Sequence, residues 1–337
     1  MAVQKPAAPA ARVQQHITAH IRTLNHWYQH EWLPALNSGA AFPVLQQKFA
    51  QGRLLYKEAE WAIEYFMPGT AKNLNGAPLP EIEVEEHLVL EPSGFGVLEE
   101  LLFEADNAEK RKALLRESKK CATLISRTDQ LWQTTQPSDE QIFTALRLQL
   151  LRVASLGLSG FDAPLAQTSL PEIGASLQGI SHAVSVYQNS ATKKEVALLQ
   201  SIVASAQQLL QRHSFDNLPR MPFIQTIINP ADAILARMQQ SLHLPITDYL
   251  PVKWSSNAFF VNGSFNINFF TPDQGSWPTA DKIALGKKLF TDPVLSQSNK
   301  LSCASCHQPQ KSFTDRLAKN KSFDGTQRLL RNTPTLL

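Results

Sequence analysis

Residues 17–28 read Ile-Thr-Ala-His-Ile-Arg-Thr-Leu-Asn-His-Trp-Tyr, with Ile17, Ile21, Leu24 and Tyr28 spaced by four, three and four. That spacing lines one face of an α-helix with apolar side chains. The same three- and four-residue rhythm continues from Arg12 to about Leu242. It predicts helices over residues 42–66, 94–104, 108–133, 139–158, 172–188, 193–213 and 222–242. Ser138 is the expected N-cap of the 139–158 helix, with Gln141 at the capping-box position. Pro230 is expected to start, break or kink the last helix. Gly, Pro and Asn occupy the connections, as in Pro68-Gly69, Asn75-Gly76 and residues 157–164. The predicted fold class is all-α, a helical bundle.

The rhythm changes after Leu244. Trp254, Phe259, Phe260, Phe265, Phe269, Phe270 and Trp277 cluster among Asn, Ser and Gly, without helical spacing. This stretch reads as an extended linker that packs through its aromatic rings. A short helix capped by Thr279 follows and ends near Thr291-Asp292-Pro293. The expected domains are a disordered Ala/Pro-rich start at 1–11, a bundle at 12–244, a linker at 245–278 and a further partial domain at 279–337.

Composition excludes several classes. The 337 residues carry 32 basic and 29 acidic side chains, a net charge of +3. So small an excess argues against a nucleic-acid surface. No apolar run approaches the roughly 20 residues of a membrane span. Met1 to Ala10 has no apolar core of a signal peptide. His16 and His20 stand four apart, as do His26 and His30. Such a pair can share a metal ion, but no acidic residue completes either site at helical spacing, so both read as solvated surface. Trp27, Trp32 and Trp61 are expected as core or helix contacts, Cys121 as a small core residue, and the acidic run 81–86 as a solvated face.

The remaining two cysteines lie in Cys303-Ala304-Ser305-Cys306-His307. This C-x-x-C-H pattern is the attachment signal for a c-type haem. Two thiols three positions apart add to the two porphyrin vinyl groups, and the adjacent imidazole binds the iron. His307 is thus the expected metal ligand. A redox dithiol needs a βαβ setting, and a zinc site needs a second ligand pair; neither reads here. Haem c is attached outside the cytoplasm, so the protein is expected to be periplasmic or otherwise exported.

Residues 285–315, LGKKLFTDPVLSQSNKLSCASCHQPQKSFTD, and 331–337, RNTPTLL, resemble the bacterial di-haem cytochrome c peroxidase family, which includes the MauG-like proteins. The matching residues are Asp292, Pro293, Leu295 and Ser296 before the haem motif, then Phe313, Thr314 and Asp315, then Arg331 to Leu336. The family follows Phe-Thr-Asp with Gly, where this chain has Arg316, so a different local turn is expected. The resemblance implies one haem on this stretch, a second haem and a calcium site in a full-length member, and reduction of hydrogen peroxide by electrons from a small donor such as a cytochrome c or cupredoxin. Arg331 is the expected partner of a haem propionate within the basic set Lys311, Arg316, Lys319, Lys321, Arg328 and Arg331. The resemblance names no catalytic acid or base here, and the chain alone is expected to turn over little peroxide. The rival readings are a MauG-like oxidase, a non-catalytic electron-transfer haem protein, and a helical binding or uptake module.

Residues 24–242 resemble the imelysin-like helical family. Its Gly-x-His-x-x-Glu motif corresponds to Gly94-Phe95-Gly96-Val97-Leu98-Glu99, and residues 156–162 resemble a helix-end segment. Glycine stands in place of the histidine. A metal site of that type is therefore not expected, and Glu99 reads as a helix-surface or buried hydrogen-bonded acid.

Overall fold

Helix α1 spans Pro9–Trp27, and its stripe Val13, Ile17, Ile21 and Leu24 is buried. Pro9 opens the helix, where a missing N–H forfeits no hydrogen bond. Part of the 1–11 stretch expected to be disordered is therefore helical. The computed structural model describes residues 8–83, 88–246, 251–254, 259, 263–329 and 332–336. A π-turn, Tyr28–Trp32, carries α1 into α2, Leu33–Asn37. Both turn-terminal rings, Tyr28 and Trp32, are buried.

The other helices follow the predicted order, with one more helix over 68–75, across the Pro68-Gly69 stretch expected as a connection. They are α3 (Phe42–Phe66), α4 (Pro68–Asn75), α5 (Phe95–Phe103), α6 (Ala108–Thr134), α7 (Asp139–Arg152), α8 (Ser169–Ser185) and α9 (Lys193–Arg212). α10 (Arg220–Phe223) and α11 (Asn229–Ser241) close the bundle. Ser138 and Gln141 form the expected reciprocal capping box on α7. The helical path continues from α7 through a π-turn, Val153–Gly157, to a C-cap at Leu158. A third π-turn, Ile224–Ile228, precedes Pro230, which sits in the first turn of α11. There its lack of an N–H is tolerated, so Pro230 starts a helix.

The bundle also carries a small hairpin. β1 (Glu81–Glu83) pairs antiparallel with β2 (Leu88–Leu90), Glu81 opposite Leu90. The acidic run 81–86 is thus partly a strand; residues 84–87 lie outside the described residues. These are the only strands among the described residues, so the all-α class stands.

The chain divides into two compact units, Met1–Phe265 and Asn266–Leu337. The boundary falls inside the stretch expected as a linker. Its first half belongs to the helical unit: Trp254 and Phe259 are buried and meet edge to face at 6.0 Å. The anchor is Arg147 of α7. Its guanidinium donates to both Asp232 oxygens at 2.6 and 3.0 Å, donates to the Trp254 carbonyl at 2.9 Å, and lies 4.8 Å from the Trp254 ring centroid.

A second buried polar group ties α3 to its neighbours. Arg53 forks onto Glu172 at 3.1 and 2.6 Å and donates to Asn75 Oδ1. Lys57 donates to Glu60 at 2.6 Å and to Asp162 at 2.7 Å, and Gln149 donates to Glu60 at 2.6 Å. Burial alone would raise the Glu60 carboxyl, but Lys57 and Arg152 outweigh it and hold the group below the usual carboxylate range. Asp162 comes from the 156–162 segment singled out in the sequence. Cys121 is fully buried, and burial pushes its thiol up to about 12, which keeps it in the unreactive thiol form.

Candidate haem site

The second unit has its first α-helix at α12, Ala280–Thr291, after two single 3-10 turns at 267–270 and 274–276. Thr279 caps it by accepting from the Lys282 N–H at 3.3 Å. Asp292 ends it and accepts from the Val294 N–H at 2.9 Å. Phe290, near the end of α12, meets Phe313 edge to face at 5.8 Å. The Leu-Phe-x-Asp-Pro run therefore sets one wall against the Phe-Thr-Asp run beyond the motif.

Between them lies α13, Cys303–Cys306, a single turn with a Ser302/Ser305 capping box. Cysteines three apart on a helical turn project from one face. Both thiols are free; Cys303 is exposed and Cys306 half-buried. His307 follows directly, its N–H bonded to the Cys303 carbonyl at 2.9 Å. Residues 308–314 then fold back: Gln308 bridges Thr314, and the Phe313 N–H donates to the Gln308 carbonyl at 2.9 Å. This loop brings the Phe313 carbonyl 3.1 Å from His307 Nδ1. A carbonyl can only accept, so Nδ1 carries the proton and Nε2 keeps its lone pair. The imidazole is thereby held in the tautomer that a proximal iron ligand requires.

The downstream motif packs back onto this loop. Thr335 Oγ1 donates to the Ser312 carbonyl at 2.6 Å, and Asn320 Nδ2 to Thr333 Oγ1 at 2.7 Å. Arg316 has φ +58°, the left-handed region that glycine enters without steric cost. Arginine thus adopts a conformation that glycine enters more readily. Arg316→Gly is expected to stabilise this unit by about 1 kcal/mol. Urea denaturation of the haem-loaded chain, followed by haem absorbance, checks it; an unchanged or lower midpoint contradicts the strain argument.

Among the described residues of this unit no apolar side chain is buried. Leu295 is 70% exposed and Phe323 91%. Two free thiols on one face, an oriented imidazole and uncovered apolar walls together fit a c-type haem, a large apolar body held by exactly such donors.

Residues 280–337 match the di-haem cytochrome c peroxidase family. Over 59 residues the chain is 48% identical to the methylamine utilization protein MauG of Methylorubrum extorquens, covering 18% of this chain and 16% of that protein. It is 46% identical over 66 residues to MauG of Paracoccus denitrificans, covering 18% and 17%. It is 43% identical over 58 residues to the cytochrome-c peroxidase IdrP2 of Denitromonas iodatirespirans, covering 17% and 16%. The matches thus span about a sixth of each relative's length. The similarity supports membership of this segment in a family of c-type haem peroxidases and oxidases. No helix among the described residues is long and apolar enough to cross a membrane.

Of the predicted site residues, Cys303, Cys306 and His307 are brought together as described. Arg331 lies outside the described residues. Of the other basic side chains, Arg328 donates to the Lys319 carbonyl at 3.0 Å and Lys311 to the Asp315 carbonyl at 3.4 Å. Arg316, Lys319 and Lys321 are exposed.

In the helical unit, Gly96 is explained by space. A Cβ there would lie 2.9 Å from Pro78 Cδ, so a histidine cannot enter without displacing the proline. Glu99 is the buried hydrogen-bonded acid of the two readings. It accepts from the Leu165 and Ala166 N–H groups at 3.0 and 2.6 Å. Burial pushes its carboxyl up against the pull of those two donors. The reading of the sequence passed over Arg53, Lys57 and Glu60. Their spacing of four and three places charges on one helix face, a signal that becomes legible once that face is known to be buried.

Proposed function

We propose that residues 280–337 carry one covalently attached haem c within an exported di-haem peroxidase, which reduces hydrogen peroxide with electrons from a small redox protein. The observation that carries this reading is His307 Nδ1 tied to the Phe313 carbonyl beside two free thiols on one turn. A haem bound there would supply the redox chemistry of peroxide reduction. The Cys303 and Cys306 thiols would add across the two vinyl groups, each S–H hydrogen passing to the neighbouring vinyl carbon, with no oxidant consumed. His307 would offer Nε2 to the iron, and its bond to Phe313 would raise the basicity of that nitrogen. Arg331 is assigned to a propionate because it belongs to the matching motif. The helical unit is read as an imelysin-like bundle without that family's histidine.

A MauG-like oxidase acting on a partner protein is the second reading, favoured by the 48% and 46% identities to proteins of that name. Co-expression of the chain with a cytochrome c maturation system tests the shared core of both. Haem that survives acid-acetone extraction and gives a thioether-type pyridine haemochrome, one per chain, is expected. Haem that extracts, or none at all, refutes both. In the di-haem protein, peroxide consumption driven by a reduced small donor supports the peroxidase, and peroxide-driven modification of a protein partner supports the oxidase.

A further inference from the structure

The pair His16 and His20 lacks a third ligand in its own helix, but the tertiary structure provides two more candidates. Glu58 comes from α3 and His182 from α8. His20 Nδ1 stands 3.8 Å from Glu58 Oε2, and His182 Nδ1 stands 3.9 Å from the same oxygen. The His16 and His182 rings meet edge to face with centroids 5.5 Å apart. One carboxylate oxygen therefore sits between two imidazole nitrogens, and the third imidazole adjoins the second.

Glycine makes this convergence possible. A Cβ on Gly179 would overlap the Glu58 carbonyl oxygen. Only a bare backbone lets α8 approach α3 this closely, and His182 lies one turn beyond Gly179 on α8. On the other side, His20 Nε2 lies 2.8 Å from the Leu55 carbonyl. That carbonyl accepts the Nε2 proton and leaves the Nδ1 lone pair directed to Glu58. His182 Nε2 is likewise held, 2.8 Å from the Gln178 side-chain amide, which in turn meets Gln207 at 2.9 Å. Amide oxygen and nitrogen are interchangeable assignments. With both glutamine amides turned over, Gln178 accepts the His182 Nε2 proton and frees Nδ1. Outer hydrogen bonds of this kind orient metal-binding histidines.

We propose that His16, His20, Glu58 and His182 bind one divalent transition-metal ion of the zinc, nickel or copper class. Imidazole nitrogens with one carboxylate suit these ions. With bonds of about 2.1 Å, a tetrahedral ion sets N···O at about 3.4 Å and two imidazole centroids about 5 Å apart. Among the described residues no three such groups already stand in a coordinating arrangement. Closing the site takes about 0.5 Å of movement at each nitrogen–oxygen pair to reach those bond lengths. The side chains have that freedom: His16 is exposed, His182 is 43% exposed and Glu58 28%.

Calorimetric titration of the full chain with Zn(II) tests the site, with Cys303→Ser and Cys306→Ser included so that no thiolate competes. One saturable equivalent is expected, weakened at least tenfold by Glu58→Gln and by His182→Asn. It should be unaffected by His26→Asn with His30→Asn, which removes the exposed stacked pair on the same stretch. Circular dichroism verifies the fold of each variant, and where His182→Asn lowers helix content, His16→Asn replaces it. No saturable uptake, unchanged affinity in the Glu58 and His182 (or His16) variants, or loss only with His26 and His30 would overturn the proposal.

Discussion

A chain carrying Cys303→Ala and Cys306→Ala together leaves the cytochrome c maturation system without covalent haem, a complete loss. On the proposed attachment each thiol would supply one thioether, so each single variant would retain at most one. The double change should reach further than the chemistry. The unit from Asn266 to Leu337 buries no apolar side chain among its described residues, while Leu295 and Phe323 are largely exposed. Fixing a chain costs about 1–2 kcal/mol per residue in backbone entropy, which buried apolar area normally offsets. Haem is the apolar body that these walls fit. The haem-free variant is therefore expected to be cut by a protease throughout residues 266–337, leaving the helical unit intact. Equal protection of that segment with and without haem would show that it is stable unaided.

Arg147→Ala is expected to destabilise the helical unit by about 3–5 kcal/mol, a large part of a typical 5–15 kcal/mol domain stability. Arg147 and Asp232 are 1% and 0% exposed, so screening by solvent is weak. Removing the guanidinium leaves Asp232 buried without its partner and frees the Trp254 carbonyl as well. The pH dependence separates this from a simple packing defect. Burial already raises the Asp232 carboxyl, and Arg147 is the group that holds it down. Without Arg147 the folded-state value rises further above the unfolded one. Such a group lowers stability at neutral pH, and the loss is recovered as the pH falls through the folded-state value and the carboxyl takes a proton. The difference in urea midpoint between wild type and variant should therefore shrink on acidification. A gap independent of pH would assign the loss to packing. Replacing both residues by apolar ones of similar volume should cost much less than the single change.

Much of this was legible in the chain because it is local. The α3 boundaries, the Ser138/Gln141 box and the Thr279 cap depend on residues within four positions of each other, where helical geometry alone decides who meets whom. The Cys303–His307 motif is local in the same sense: one turn of helix brings both thiols to a single face. The helix start at Pro9, the three π-turns and the 81–90 hairpin were not legible. A proline suits both disorder and a first helical turn, and a π-turn is set by packing on the flanking helices. Gly96 was noticed for the imidazole it lacks; its cause, the ring of Pro78, lies in another segment.

By itself the sequence determined the helical class, the order of the helices and the five-residue C-x-x-C-H motif at 303–307, since each rests on contiguous spacing. Only the tertiary structure decided that the Phe313 carbonyl fixes the His307 tautomer, through a loop with two residues in the left-handed region. It alone joined Arg147 to Asp232 and Trp254, and brought Glu58 and His182 to His16 and His20. Those partners lie tens to more than a hundred positions apart in the sequence. No periodicity encodes such meetings; they follow from which helices pack together and how closely a glycine lets them approach.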